Sequence, residues 1–306
     1  MKRCILLLVL GLTARANAQS AAVPSPADFD ALLTRVVTAA KEYGKGFRNL
    51  VAEETKVDQM LDQSGAVKKQ REIVGDLLVY QSSRDAEQTA EYRDVRAVDG
   101  KAVEKRSNRV VDLLSRASKS SSLRNELDTI TRESRRYDLR WSVSGLTINQ
   151  PGMGLEKRGE FDAEWVGREH VGSHEVVVID YRDKTLSRVF DKTFKSNGVT
   201  STLMRGRLWL DAATAQLRQD RWEVLGNVPG RQEPVLLIRR QSTYTESRYG
   251  ILVPERIVYE FHERGKTSGN QAPPFFTIQR TTRTYGDFRR FDVVTEETIG
   301  APSSPR

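Results

Sequence analysis

Apolar positions along this chain repeat with two different periods. Between Phe29 and Tyr43 they fall three and four residues apart (Phe29, Leu32, Leu33, Val36, Val37, Ala40, Tyr43), which is one stripe of an amphipathic helix. Gly44 and Gly46 end it. From Phe47 onward the period drops to two. Leu50 to Val57 predicts a first strand, Gln63-Ser64-Gly65 a turn, and Arg71 to Tyr80 a second strand with Gly75 marking a bulge or bend. Glu91 to Val98 predicts a third, and Asp99-Gly100 a two-residue hairpin turn into Lys101-Ala102-Val103.

The helical period returns over residues 104–137. Val110, Val111, Leu113, Leu114 and Ala117 mark one stripe; Leu123, Leu127 and Ile130 mark another beyond a serine-rich break. Nearly everything from Leu139 to Ile299 then reads as strands joined by Gly, Pro and Asn turns. Val176 to Ile179 is apolar without alternation, so that strand is expected to be covered on both faces. Residues 251–262 alternate Ile251, Val253, Ile257, Tyr259 and Phe261 against Arg256, Glu260 and His262. Pro254 inside that run calls for an edge or a bulge.

The hairpin over residues 206–226 is the most informative stretch. Asp211 is placed to accept backbone N–H bonds from the turn, and Thr214 to do so more weakly. Leu217 is out of phase with Trp222 and Val224, and a bulge near Gln219 or Asp220 reconciles them while curling the sheet. Many strands joined by short turns make an antiparallel sheet, and one this wide must twist and curl. The expectation is an α+β fold: a wide curved antiparallel half-barrel with helices packed on its concave face. One domain spans 27–300, with a helical insert at about 104–137 and a disordered tail at 301–306.

Composition adds a compartment. Lys2 and Arg3, the apolar run Ile5 to Leu12 and the small residues Ala16-Asn17-Ala18 form a signal peptide over residues 1–18, with cleavage after Ala18 and a linker over 19–26. The run is shorter than the roughly 20 residues of a membrane span, and no later segment is long and apolar enough. The expected location is periplasmic or secreted. Cys4 is the single cysteine and lies in that leader, so the mature chain has no disulfide, catalytic thiol or cysteine metal site. The net charge is +8, with Lys2, Arg3 and Arg15 in the leader. Acids and bases interleave elsewhere, which makes a solvated surface with some attraction for anionic lipid or polymer. The arginines of the 104–140 region are offset by acids in the same way, as a salt-bridged outer face or a basic lip. Export and the lack of an aromatic-basic motif argue against nucleic acid as partner.

Candidate chemistry is sparse. His170 and His174, beside Glu169 and Glu175, have the spacing of a helical metal pair. Val171-Gly172-Ser173 predicts a hairpin instead, and four strand residues span roughly 13 Å, so no metal is expected there or at His262. No Gly-x-Ser-x-Gly elbow occurs. The adjacent pairs Glu53-Glu54 and Glu296-Glu297 point to opposite strand faces and make no ready glycosidase dyad. Trp141, Trp165, Trp209 and Trp222 fall on predicted strands, either packing the core or lining an apolar cavity. No catalytic, cofactor-binding or metal-binding residue is assigned.

The leader, the N-terminal helix, the wide sheet and Gly206-x-x-Trp-Leu-Asp-x-x-Thr-x-x-Leu together resemble the periplasmic lipoprotein-carrier superfamily of LolA-like half-barrels. Tyr92 to Val103 and Tyr285 to Val293 resemble secreted bacterial proteins of that general type. The resemblance implies binding of lipid chains or lipoproteins between sheet and helices, with no cofactor and no catalysis. It carries over no binding residue. Three expectations follow: an exported binding protein holding a lipid, acyl chain or lipidated partner in an apolar hollow; an envelope module with a filled core and a protein partner; or a carboxylate-dependent hydrolase.

Overall fold

The computed structural model describes residues 23–46, 50–81, 89–103, 132, 135–139, 155, 159–189, 192–265 and 274–290. The leader, most of the 104–137 insert, Trp141, Glu296-Glu297 and the tail lie outside them. Helix α1 spans Pro26–Gly46 and so takes in the last residue of the expected linker. Its start is fixed locally: the Ser25 hydroxyl accepts the Asp28 N–H at 3.2 Å and donates to the Asp28 carboxylate at 2.6 Å, with Pro26 in the first turn. Leu33, Val36 and Ala40 of the predicted stripe are buried.

The strands are β1 (Leu50–Leu61), β2 (Val67–Gln81), β3 (Thr89–Val98), β4 (Lys101–Ala102), β5 (Phe161–Val171), β6 (His174–Asp183), β7 (Ser187–Arg188), β8 (Ser201–Asp211), β9 (Leu217–Asn227), β10 (Val235–Glu246), β11 (Leu252–Arg264) and β12 (Phe275–Arg290); a short helix α2 (Lys192–Ser196) precedes β8. They form one sheet in the order β4-β3-β2-β1-β12-β11-β10-β9-β8-β6-β5, with β7 on β8, and every pairing is antiparallel. The meander expected from the turns is therefore two meanders fused along β1 and β12. The chain leaves the sheet after β4 at one end of the strand order and re-enters at β5, the other end.

Bulges interrupt the register where the sequence breaks alternation. Gly75 sits at one, opposite Val95, and a Cβ there would lie 2.7 Å from the Asp94 carbonyl oxygen. Asp99 and Gly100 both have positive φ (50° and 74°), as a two-residue hairpin turn requires. Between β8 and β9, Trp209 pairs with Gln219 but Leu210 pairs with Leu217. Arg218 is the extra residue, one position before the expected site. Between β10 and β11, Thr243 pairs with Arg256 and Tyr244 with Pro254, so Glu255 is extra and the proline lies at a bulge in an interior strand, not at an edge. Each bulge adds local twist, which is how so wide a sheet curls.

The registers define two faces. Val177, Ile179, Leu208, Leu210 and Leu217 pack against Leu33 and Val36, with Trp165 and Trp222 at the margin of that cluster. This is the α1 face. Val176 and Val178, 0 % exposed, point the other way, so β6 is covered on both faces as its unbroken apolar run predicts. Phe194 of α2 packs with Val199, Val235 and Leu237.

Candidate functional site

Two cross-strand rows run along the α1 face. One reads Ile73, Lys56, Arg283, Ile257, Ser242, Asp220, Leu208, Ile179 across β2, β1, β12, β11, β10, β9, β8 and β6. The next reads Arg71, Asp58, Thr281, Tyr259, Arg240, Trp222, Gly206, Tyr181 over the same strands. The side of the sheet that the helix covers is thus aliphatic at β6 and β8 and ionic at its middle. Lys56, Asp58, Asp220 and Arg240 are all at most 3 % exposed.

These charges are paired. Arg93 donates to Glu54 at 2.7 Å and to Glu91 at 2.9 Å, and Arg283 stands 3.7 Å from the second Glu54 oxygen. Lys56 bridges Asp58 at 3.0 Å and Asp138 at 2.5 Å, and the Thr281 hydroxyl donates to Asp58 at 2.7 Å. Further along, the Tyr244 hydroxyl donates to Asp220 at 2.9 Å and Arg240 lies 3.5 Å from the other Asp220 oxygen. Burial pushes the Glu54 carboxyl up, but Arg93, Arg283 and Lys56 outweigh it and hold it at about 2. At Asp220 burial wins over Arg240 and Tyr244, and the carboxyl is pushed up. Burial also raises the Tyr181 and Tyr244 phenols. The belt is a set of ion-paired charges buried in the middle of this face.

Hollow space lies at the end of the belt. An open cleft of about 480 Å³ runs between α1 and the tips of the β8–β9 and β10–β11 hairpins. Tyr43, Leu217, Ile251 and Leu252 supply apolar wall, and Thr34, Arg35, Thr38 and Glu42 the polar rim. The hairpin tip is built as its sequence implies. Asp211 accepts the Ala213 and Thr214 N–H groups at 3.1 and 3.0 Å, and Thr214 accepts the Gln216 N–H at 3.3 Å. Ala215 adopts a positive φ of 60° and is buried, and Arg35 donates to the Ala213 carbonyl, tying helix to tip.

The residues singled out from sequence are dispersed. His170 and His174 flank the β5–β6 turn, with His174 Nδ1 3.2 Å from Asp211, and His262 is half-buried beside Thr277. Among the described residues no group of His, Cys, Asp and Glu is arranged to hold a metal ion. Glu53 and Glu54 point to opposite faces and pair with Arg96 and Arg93. Trp209 is not part of the core: it lies on the face away from α1, donating to Glu169 at 2.9 Å. No helix among the described residues is long and apolar enough to cross a membrane.

The ionic belt escaped sequence reasoning. Its signal is faint: Glu54, Lys56 and Asp58 occupy alternate positions continuing Leu50 and Ala52, so apolar-in periodicity runs unbroken into charge.

No protein-family model matches the chain, and no curated protein does. Solved structures do. A putative outer membrane lipoprotein-sorting protein domain from Vibrio parahaemolyticus is 12% identical, with a TM-score of 0.31 over 86% of this chain and 94% of that one. A DUF1329 family protein from Desulfovibrio piger is 11% identical (TM-score 0.33; 87% and 93%), and a LolA superfamily protein from Nitrosomonas europaea is 10% identical (TM-score 0.28; 85% and 94%).

Proposed function

We propose that this is a non-catalytic exported binding protein that takes a lipid, an acyl chain or the lipid of a lipidated partner into the cleft between α1 and the hairpin tips. The cleft carries the reading: its volume falls in the range of about 300–1,000 Å³ usual for small-ligand sites, and it pairs an apolar wall with a charged rim. The ion-paired belt closes the middle of the face to an apolar chain, so the ligand's tail lies along Leu217 and Leu252 with its polar end toward Arg35. In this reading α1 sits on the concave side of the sheet, the leader over 1–18 is cleaved after Ala18, and the protein works in the periplasm or outside the cell. Native mass spectrometry of the purified chain, with titration of a fluorescent fatty acid, tests it. A co-purifying hydrophobic ligand and saturable binding weakened by Leu217→Arg are expected; an empty protein that binds no fatty acid rejects the reading.

The belt itself favours a second reading, an envelope interaction module whose core is filled. Crosslinking in the native envelope separates the two, because the second requires a stable protein partner and the first does not.

A further inference from the structure

The face away from α1 carries its own pattern. Asp162, Arg182, Arg205, Glu223, Arg239, Glu260 and Arg280 form one cross-strand row, in which nearly every charge meets its opposite. Arg205 donates to Glu223 at 2.9 Å, Arg239 to Glu223 at 3.0 Å and Arg280 to Glu260 at 3.0 Å. The neighbouring row is different. It reads Glu164, Asp180, Arg207, Arg221, Gln241, Val258, with two acids side by side and then two arginines side by side. Arg207 holds both oxygens of Asp180, at 2.6 and 2.7 Å. Arg221 is exposed, and among the described residues it makes no hydrogen bond or ion pair. Its cross-strand neighbours are a second arginine and a neutral amide, and Glu223, two residues along its own strand, is already shared by Arg205 and Arg239.

Like charges directly opposite on a sheet cost stability. Here the cost falls inside a trough of about 800 Å³, lined by five arginines, Arg221 among them, and by four carboxylates, Asp162, Glu164, Asp180 and Glu223. The trough is left with one positive charge more than its carboxylates, and Arg221 is the arginine that no described carboxylate pairs. Glu164, at the far end of the row, stands three strands from Arg221, roughly 14 Å away at the usual strand spacing. It neither neutralises the arginine nor blocks an anion seated on it.

We propose that this trough is a binding site for a phosphoryl dianion, seated on Arg221 with Arg207 and Arg239 as flanking charge. Guanidinium planes bind tetrahedral oxyanions in a bidentate manner, and Arg221 offers such a plane with Arg207 and Arg239 beside it in the same trough. Free phosphate and the phosphomonoester of a lipid headgroup share this chemistry. The proposal is independent of the cleft beside α1, which lies on the other face.

Isothermal titration of the full chain with inorganic phosphate, and flotation with phosphatidic acid or phosphatidylcholine vesicles, tests it. Arg221→Gln is expected to weaken phosphate binding roughly tenfold, the worth of one charged hydrogen-bonding group. Gln241→Glu keeps Arg221 but sets a carboxylate opposite it, and is expected to abolish phosphate binding without lowering Tm. Arg256→Gln, an exposed arginine outside the trough, is the control and is expected to change nothing. Flotation with phosphatidic acid that Arg221→Gln removes assigns the site to a headgroup; phosphate binding without flotation assigns it to the free anion. No phosphate binding by the unaltered protein, or an equal loss in Arg256→Gln, overturns the proposal.

Discussion

Glu54 shows at the scale of one residue why charge is tolerated on the covered face of this sheet. Taking a carboxylate out of water costs several kcal/mol unless partners replace the lost hydration. Arg93, Arg283 and Lys56 do so, and they depress its folded pKa to about 2. A depressed acid stabilises the fold above its unfolded pKa and loses that contribution as pH falls through the folded value. The window here runs from roughly pH 4.5, the ordinary glutamate range, down to about 2. Urea midpoints measured across that window are expected to fall steeply for the natural chain, and Glu54→Gln is expected to start lower at neutral pH and fall less. Asp220 carries the opposite sign, because burial raises its carboxyl and ionisation there works against folding as pH rises. Its worth lies in compensating Arg240. Asp220→Leu is expected to cost about 3–5 kcal/mol by stranding that guanidinium, while Asp220→Leu with Arg240→Met recovers most of the loss. Equal losses in the single and double variants, read by denaturant unfolding, would show that the pair is not coupled.

The β8–β9 hairpin makes the argument for elements. Its turn was legible because Asp and Thr have few other ways to satisfy a tight loop, and Asp211 and Thr214 accept the bonds their positions imply. Its bulge was legible because Leu217 breaks phase, although the extra residue proved to be Arg218, which is buried and bound to Asp211 at 3.0 Å. Gly206 was legible as part of a motif, but its reason was not. The Tyr181 ring lies directly over it, and a Cβ there would sit 2.5 Å from ring atoms. Tyr181 is buried and packed edge-on against Phe161, so the ring cannot simply swing away. Gly206→Ala is therefore expected to cost about 1–3 kcal/mol, the usual range for overpacking a core. Tyr181→Phe/Gly206→Ala should be no better, because the clash is with the ring as well as the hydroxyl. The ionic belt was illegible for a different reason. Alternation tells which residues share a face, not whether that face is wet, and Lys56 beside Asp58 looks like any solvated strand until both are seen to be buried.

At the scale of the whole molecule the decisive feature is where the chain's last described strand goes. Short turns predict neighbours in sequence, and they gave both meanders, but the β1–β12 pairing joins residues more than 200 apart and no local pattern announces it. That pairing puts β12 between β1 and β11, in the interior of the sheet, with Thr281 and Arg283 contacting Asp58 and Glu54. Helix α1, by contrast, lies on one face and fully buries only Leu33, Val36 and Ala40. The two elements should therefore fail differently. A chain ending before Phe275 loses the strand that holds the two meanders together and is expected to show no cooperative unfolding transition by circular dichroism. Leu33→Ala is expected to cost about 2–5 kcal/mol, the range for truncating a buried leucine. It should raise hydrogen exchange in α1 and along the aliphatic wall of Val177, Ile179, Leu208 and Leu210, and leave the amides of β1 and β12 as protected as before. A cooperative transition in the shortened chain, or exchange in Leu33→Ala that rises first along the β1–β12 seam, would mean that the helix and not the seam holds this sheet together.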